Sequence, residues 1–168
     1  MKEAARPVVE RAFEQDAEEL WRLRTVLEDW LEQQGIVQWD KGELSKLQLL
    51  DQVSRGEWHL TRDGSAICAA LRFLWADPLT WGELDGFAGY VHGLMVDRNH
   101  AGQGLGRRLL SWAEEQARKA RAPLLRLDCV ETNTRLRSYY VEQDFREVGR
   151  QDFGGRWRSV VLMEKSLC

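Results

Sequence analysis

The chain has 168 residues, with 24 Lys and Arg against 27 Asp and Glu, for a formal net charge of −3. That length suits one domain with a full core over residues 1–168, and an acidic balance argues against a nucleic-acid partner, which calls for a basic excess. No apolar run is long enough to span a bilayer, and Glu3, Glu10 and Arg11 interrupt the stretch where a signal peptide needs apolar residues, so a cytoplasmic protein with no membrane partner is expected.

In chain order, Asp16 is placed to cap a helix running to about residue 33, with Leu20, Leu23, Leu27, Trp30 and Leu31 on its apolar side and Gly35 ending it. A second helix is predicted over 43–53. Residues 58–61 and 66–74 read as hairpin strands about a turn at Arg62-Asp63-Gly64. Residues 75–88 break the pattern with Asp77-Pro78, Trp81-Gly82 and Asp85-Gly86, the signature of a mobile loop.

A strand-like run over 90–96 then leads into Gly102-Gln103-Gly104-Leu105-Gly106-Arg107-Arg108. Behind the glycines, Leu105, Leu109, Ala113, Gln116, Ala117 and Ala120 form a helical stripe, and Pro123 stops the helix. Glycine lets backbone amides approach one anion, and a helix start adds unpaired N–H groups and the positive end of its dipole. The junction therefore reads as a pyrophosphate cradle, against the alternative of a tight turn with no ligand. Arg98, Arg107, Arg108, Arg135 and Arg137 surround it in sequence, each weighed as a phosphate contact against an ordinary solvated side chain.

Residues 124–130 alternate as a strand, with Leu125, Leu127 and Cys129 on one face and Arg126 and Asp128 on the other. Asn133 is a natural N-cap for a helix over 134–143, where Leu136 and Tyr140 share its face. Two strands, 145–150 and 157–164, close the chain about a turn at Phe153-Gly154-Gly155. The order strand, Gly-loop, helix, strand also occurs in a dinucleotide-binding Rossmann unit, but too little chain follows here for the second half of that fold. Cys68, Cys129 and Cys168, like His59, His92 and His100, lack metal-ligand spacing, so reduced thiols and no metal are expected.

Val96, then Gly102-x-Gly104-x-Gly106, then Asn133-x-x-Leu136-x-x-Tyr139-Tyr140-x-x-x-Asp144-Phe145 resembles the cofactor half of the GNAT superfamily of acyl-CoA-dependent N-acyltransferases. The likeness is fullest over 90–148, and Gly35-Ile36-Val37-Gln38-Trp39 is similar to a segment of small bacterial members. The chain departs from that pattern at Arg98, where Pro is usual, at Ala101, where Arg or Gln is usual, and at Asp144, where Gly is usual.

The resemblance implies an α/β (α+β) fold whose mixed, mostly antiparallel central sheet has about six or seven strands, flanked by about four helices. Strands 90–96 and 124–130 would be parallel neighbours that splay apart, freeing the amides of Leu94, Met95 and Val96 for the cofactor. It implies acetyl-CoA (coenzyme A) as that cofactor, held also by Gly102, Gln103, Gly104, Leu105, Gly106, Arg107, Arg108, Asn133 and Tyr140. Tyr140 would protonate the departing sulfur, against the alternative of a core aromatic.

For the base there are two candidates and a water relay: Asp128, a position that is acidic in some similar enzymes, and His92, on the same face as Leu94 and Val96 by strand alternation and of a residue type that titrates near neutrality. Gln38, Trp39, Trp75, Trp81 and Trp157 are the candidates for the acceptor pocket. The expected activity is acetyl transfer to a primary amine of a small molecule, or less readily of a protein, by a monomer or homodimer. The runner-up is a catalytically silent acyl-CoA-binding sensor of the same fold.

Overall fold

The structure, a computed structural model, describes residues 7–82 and 86–168. Seven strands form one sheet in the order β1-β2-β3-β4-β5-β7-β6. In chain order these are β1 (Glu10–Arg11), β2 (Trp58–Asp63), β3 (Ala66–Leu74), β4 (Ala88–Val96), β5 (Leu124–Val130), β6 (Arg146–Gln151) and β7 (Val160–Ser166). All neighbours are antiparallel except β4 and β5. Five helices accompany them: α1 (Ala17–Gln33), α2 (Lys46–Ser54), α3 (Pro78–Trp81), α4 (Leu105–Lys119) and α5 (Thr134–Glu142).

The sheet is buried on both faces. Leu105, Leu109, Leu110 and Ala113 of α4 pack with Tyr140 of α5 on Leu71, Val91, Leu125, Leu127 and Met163. On the other face, Leu20, Leu23 and Leu27 of α1 and Leu49 and Val53 of α2 cover Trp58, Leu60, Ala70 and Met95. Leu109 and Leu110 are almost fully enclosed, which for side chains of that size is worth roughly 1.5–3 kcal/mol each. Ala120, read from the helical stripe as apolar-facing, is exposed at the end of α4 instead.

Local signals set several boundaries differently from the sequence expectation. Asp16 precedes α1 but does not cap it: its Oδ2 accepts from the Phe13 N–H at 2.9 Å and its Oδ1 from Arg62 at 2.6 Å, and it already lies within a 3₁₀ turn. Helix α2 starts three residues later than expected because Ser45 and Gln48 form a reciprocal capping box, with bonds of 3.1 and 2.9 Å. The segment read as a loop over 75–88 contains α3, where Pro78 opens the turn and Asp77 Oδ1 accepts from the Thr80 N–H at 3.3 Å; Asp85 lies outside the described residues. At the end of α5, Asp144, where Gly is usual in the family, takes a positive φ of 68°, and the Phe145 N–H returns to the Tyr140 carbonyl at 3.1 Å.

Candidate active site

Strands β4 and β5 pair only from Ala88↔Leu124 to Val91↔Leu127. Beyond that point β5 stays with β7 as far as Val130↔Val160, while β4 stays with β3, so a gap opens between them. Within β4 the register slips, with Ala70↔Met95 but Arg72↔His92, which inserts an extra residue at Gly93 and Leu94. Gly93 takes φ +57°, and a Cβ there would meet Trp58 at 2.8 Å. The bulge breaks strict alternation, and His92, Gly93 and Leu94 in succession border one cavity.

The amides on the gap side follow from the ladder. The Asp97 N–H donates to the Cys68 carbonyl at 2.9 Å, and the pairs Ala69↔Val96 and Ala70↔Met95 continue that register. Counting back from Asp97, alternation turns the Met95 amide toward β3 and those of Val96 and of Leu94, at the near side of the bulge, toward the gap. The Met95 side chain is buried on the α1 face of the sheet. The two outward amides have no strand opposite them.

Gly102 and Gly104 close the loop after β4 with φ of +79° and +75°, and a Cβ at either would have nothing within 4 Å. Gly104 is the N-cap of α4, and the first intrahelical bond runs from the Arg108 N–H to the Gly104 carbonyl at 3.1 Å. The amides of Leu105, Gly106 and Arg107 lie N-terminal to that bond and have no intrahelical acceptor. Gly106 has a different reason to be glycine: a Cβ there would sit 2.8 Å from the Tyr139 hydroxyl, so α4 and α5 touch through it. Open space, left-handed glycines and first-turn amides together fit a pyrophosphate.

Of the surrounding arginines, Arg107 is exposed beside the loop, and Arg108 reaches the Pro7 carbonyl at 3.4 Å. Arg98 lies over the Trp30 ring at 4.0 Å, and Arg137 is bound to Glu147 at 2.8 and 3.0 Å.

The cavity holds about 350 Å³ and is bordered at its inner end by His92, Leu94, Asp128, Cys129 and Tyr140. His92 Nε2 lies 3.0 Å from Asp77 Oδ2, and His92 Nδ1 lies 3.8 Å from Asp128 Oδ1. The two sequence candidates for a base are thus neighbours, and Asp77, not singled out in the sequence, is the third member. One atom of each can be chosen so that all three lie within 4.8 Å. The carboxylates meet opposite nitrogens of the ring, Asp77 within hydrogen-bonding distance and Asp128 beyond it.

Burial, helped by Asp77 and opposed by His92, raises the Asp128 carboxyl above its ordinary value. Burial acts the same way on Asp77, but His92 and the Thr80 contacts outweigh it and hold that carboxyl low. Burial also pushes the Tyr140 phenol well above its usual value, so it stays protonated, and lifts the Cys129 thiol to about 12.

The outer wall comes from two loops. In the segment after α1, Trp39 is held beneath the Arg24 guanidinium at 3.8 Å; Arg24 is buried with Glu28 at 2.8 Å and also reaches Glu43 at 3.2 Å. Gln38 Oε1 accepts from Asn133 Nδ2 at 3.3 Å, while Asn133 Oδ1 caps α5 by accepting from the Leu136 N–H at 3.1 Å. In the segment before β7, Trp157 and Arg158 border the same cavity, and Arg158 also meets Asp40 at 2.6 Å.

Gln38, Trp39 and Trp157 are therefore brought together, whereas Trp75 and Trp81 do not border this cavity. Trp75 stacks on Phe87 at 5.5 Å, near Trp112 of α4. Trp81 is buried under Arg126 and Tyr90.

Both the sequence and the fold of this chain are matched by known proteins. Residues 21–145 fit the family described as Acetyltransferase (GNAT) family. The chain belongs to that family.

This GNAT chain is 32% identical to the protein named Uncharacterized N-acetyltransferase YesJ of Bacillus subtilis (strain 168), over 93% of this chain and 88% of that one. The crystal structure of a GNAT-family acetyltransferase from Listeria monocytogenes 4b F2365 superposes with a TM-score of 0.80 at 25% identity, over 95% of this chain and 94% of the other. The fold is shared as well by yncA, a putative acetyltransferase from Salmonella typhimurium solved with acetyl-CoA, at a TM-score of 0.71, 16% identity, and 98% and 95% coverage. The GNAT fold is thus the fold of this chain, its activity class is acyl transfer, and among the described residues no helix is long and apolar enough to cross a membrane.

The raised Asp128 carboxyl gives a first prediction. A carboxyl with a folded-state pKa above its unfolded value favours folding only while protonated, and that contribution is lost as pH rises through the folded pKa. Asp128→Asn is therefore expected to raise Tm at pH 7, with the advantage shrinking to nothing as pH falls below about 4, where the unfolded carboxyl also protonates. Thermal melts at both pH values check it; an Asp128→Asn Tm equal to or below wild type at pH 7 would contradict it.

Proposed function

We propose that this chain transfers the acetyl group of acetyl-CoA to a primary amine of a small molecule, by direct attack with both substrates bound, in the cytoplasm. The observation that carries the reading is the His92 imidazole set between Asp77 and Asp128, in the gap where the Leu94 and Val96 amides have lost a strand neighbour. Acetyl-CoA supplies the acyl group as an activated thioester. Gly102, Gly104 and the first turn of α4 hold its pyrophosphate, with Arg107 beside them, and the Leu94 and Val96 amides bond its pantetheine arm and thioester oxygen.

Each remaining requirement of the transfer falls to a group at the cavity. The amine arrives as a cation; Asp128 and Glu43 favour it, and Trp39 and Trp157 cover an apolar body behind it. His92 takes the amine proton, which frees the nitrogen lone pair for attack. A fixed amide on β4 stabilises the charge that gathers on the carbonyl oxygen without reorganising. Tyr140 donates a proton to the departing sulfur. Cys129 is not an acyl carrier, because a thiol pushed up to about 12 offers almost no thiolate at neutral pH.

The test is a panel of primary amines with acetyl-CoA, following free thiol and the mass of each amine. Amine-dependent thiol release with a matching acetylated product is expected. Tyr140→Phe should lower kcat about 10²-fold with acetyl-CoA affinity retained. An unchanged rate would reduce Tyr140 to packing. CoA binding without turnover of any amine would instead favour the silent acyl-CoA-binding protein.

A further inference from the structure

The 75–82 segment brings a carboxylate to the ring edge of His92 that faces away from Asp128. Asp77 is the N-cap of α3: Oδ1 accepts from the Thr80 N–H at 3.3 Å, Pro78 sets the backbone at the first helical position, and Trp81 is buried. The turn is anchored at both ends. Its second oxygen, Oδ2, is left 3.0 Å from His92 Nε2, and the Asp77 side chain is only 10% exposed. On the other edge, Nδ1 is 3.8 Å from Asp128 Oδ1, too far for a hydrogen bond.

An ionised carboxylate can only accept. Both atoms, Asp77 Oδ2 and His92 Nε2, are buried and neither has an aligned hydrogen-bond partner; at that separation a neutral imidazole can satisfy the pair only with the proton on Nε2, which leaves the lone pair on Nδ1. We propose that Asp77 is the positioning residue of His92: it holds the Nε2–H tautomer and the ring orientation, so that Nδ1 is the atom presented to the acceptor amine beside Asp128. The part of this inference that concerns catalysis rests on His92 being the base, as proposed above. The tautomer itself does not.

Arg72, opposite His92 in the β3–β4 register, binds Glu57 at 2.7 Å. Burial works against ionisation of Asp77, but His92 and Thr80 outweigh it and hold its carboxyl low. Histidines that act as bases are commonly oriented by a carboxylate on their far nitrogen, since the wrong tautomer presents an N–H where a lone pair is needed.

The experiment is ¹⁵N NMR of the imidazoles in protein labelled at its three histidines, with His92 assigned by its loss in His92→Gln. Wild type above the imidazole titration should show His92 as the Nε2–H tautomer. Asp77→Asn, which can turn an amide N–H toward Nε2, should shift it toward Nδ1–H and lower kcat about 10²-fold with the KM for acetyl-CoA unchanged. Asp77→Glu, which keeps an acceptor, should restore part of both. A wild-type Nδ1–H tautomer, or a signal that does not respond to Asp77→Asn, would overturn the proposal, and the wild-type spectrum serves even if a variant fails to fold. A tautomer that flips in Asp77→Asn while His92→Gln keeps full activity would leave Asp77's hold on the ring intact and remove His92 as the base.

Discussion

Gly104→Val is expected to abolish the rise in melting temperature that CoA gives the wild-type protein. A ligand that binds only the folded state at about 100 times its Kd stabilises it by about 2.7 kcal/mol, roughly 5–10 °C in Tm for a domain of this size. Valine fails at this position for two separate reasons. Gly104 has φ +75°, where a β-branched side chain is strained. The open space that a Cβ would enter there is also where the proposed pyrophosphate site lies.

Gly104→Asn separates the two reasons, since asparagine tolerates the left-handed conformation but still fills the space. It should fold with a near wild-type Tm and lose the CoA shift. Normal CoA binding by Gly104→Asn would contradict the pyrophosphate cradle.

Where local signals and tertiary placement agree, the chain was readable. Pro123 and the alternation of residues 124–130 define β5, and Asn133 with the Leu136 N–H defines the start of α5. The glycine loop announces itself because only positive φ and close approach call for that spacing of glycines. Helix α2 starts later than predicted because a legible device, the Ser45 to Gln48 capping box, sets its first turn.

Other features depend on contacts that no local pattern records. The bulge needs glycine at position 93 because Trp58 of β2 leaves no room for a Cβ there, and His92 and Leu94 on either side of it border one cavity. The tryptophans show the same limit: Trp39 and Trp157 line the cavity while Trp75 and Trp81 pack elsewhere, and apolar size alone cannot say which sheet face or end a loop will reach. Asp77 had a usable signal, since an Asp-Pro pair is a good helix start, but its value lies in meeting His92, fifteen residues on. The departure at Arg98 finds a local partner, with the guanidinium lying over Trp30 of α1.

The measurement that bears most directly on the proposed chemistry is kcat/KM against pH for wild type, His92→Gln and Asp128→Asn with one amine. Wild type should lose activity toward acid as the imidazole protonates, because only the neutral ring can accept the amine proton. His92→Gln should lose about 10³-fold in rate and with it that acid limb, while its CoA-dependent Tm shift remains. Asp128→Asn should keep the limb and raise the KM for a cationic amine. Retention of both rate and acid limb by His92→Gln, with collapse across the whole pH range in Asp128→Asn, would contradict the account and make Asp128 the proton acceptor.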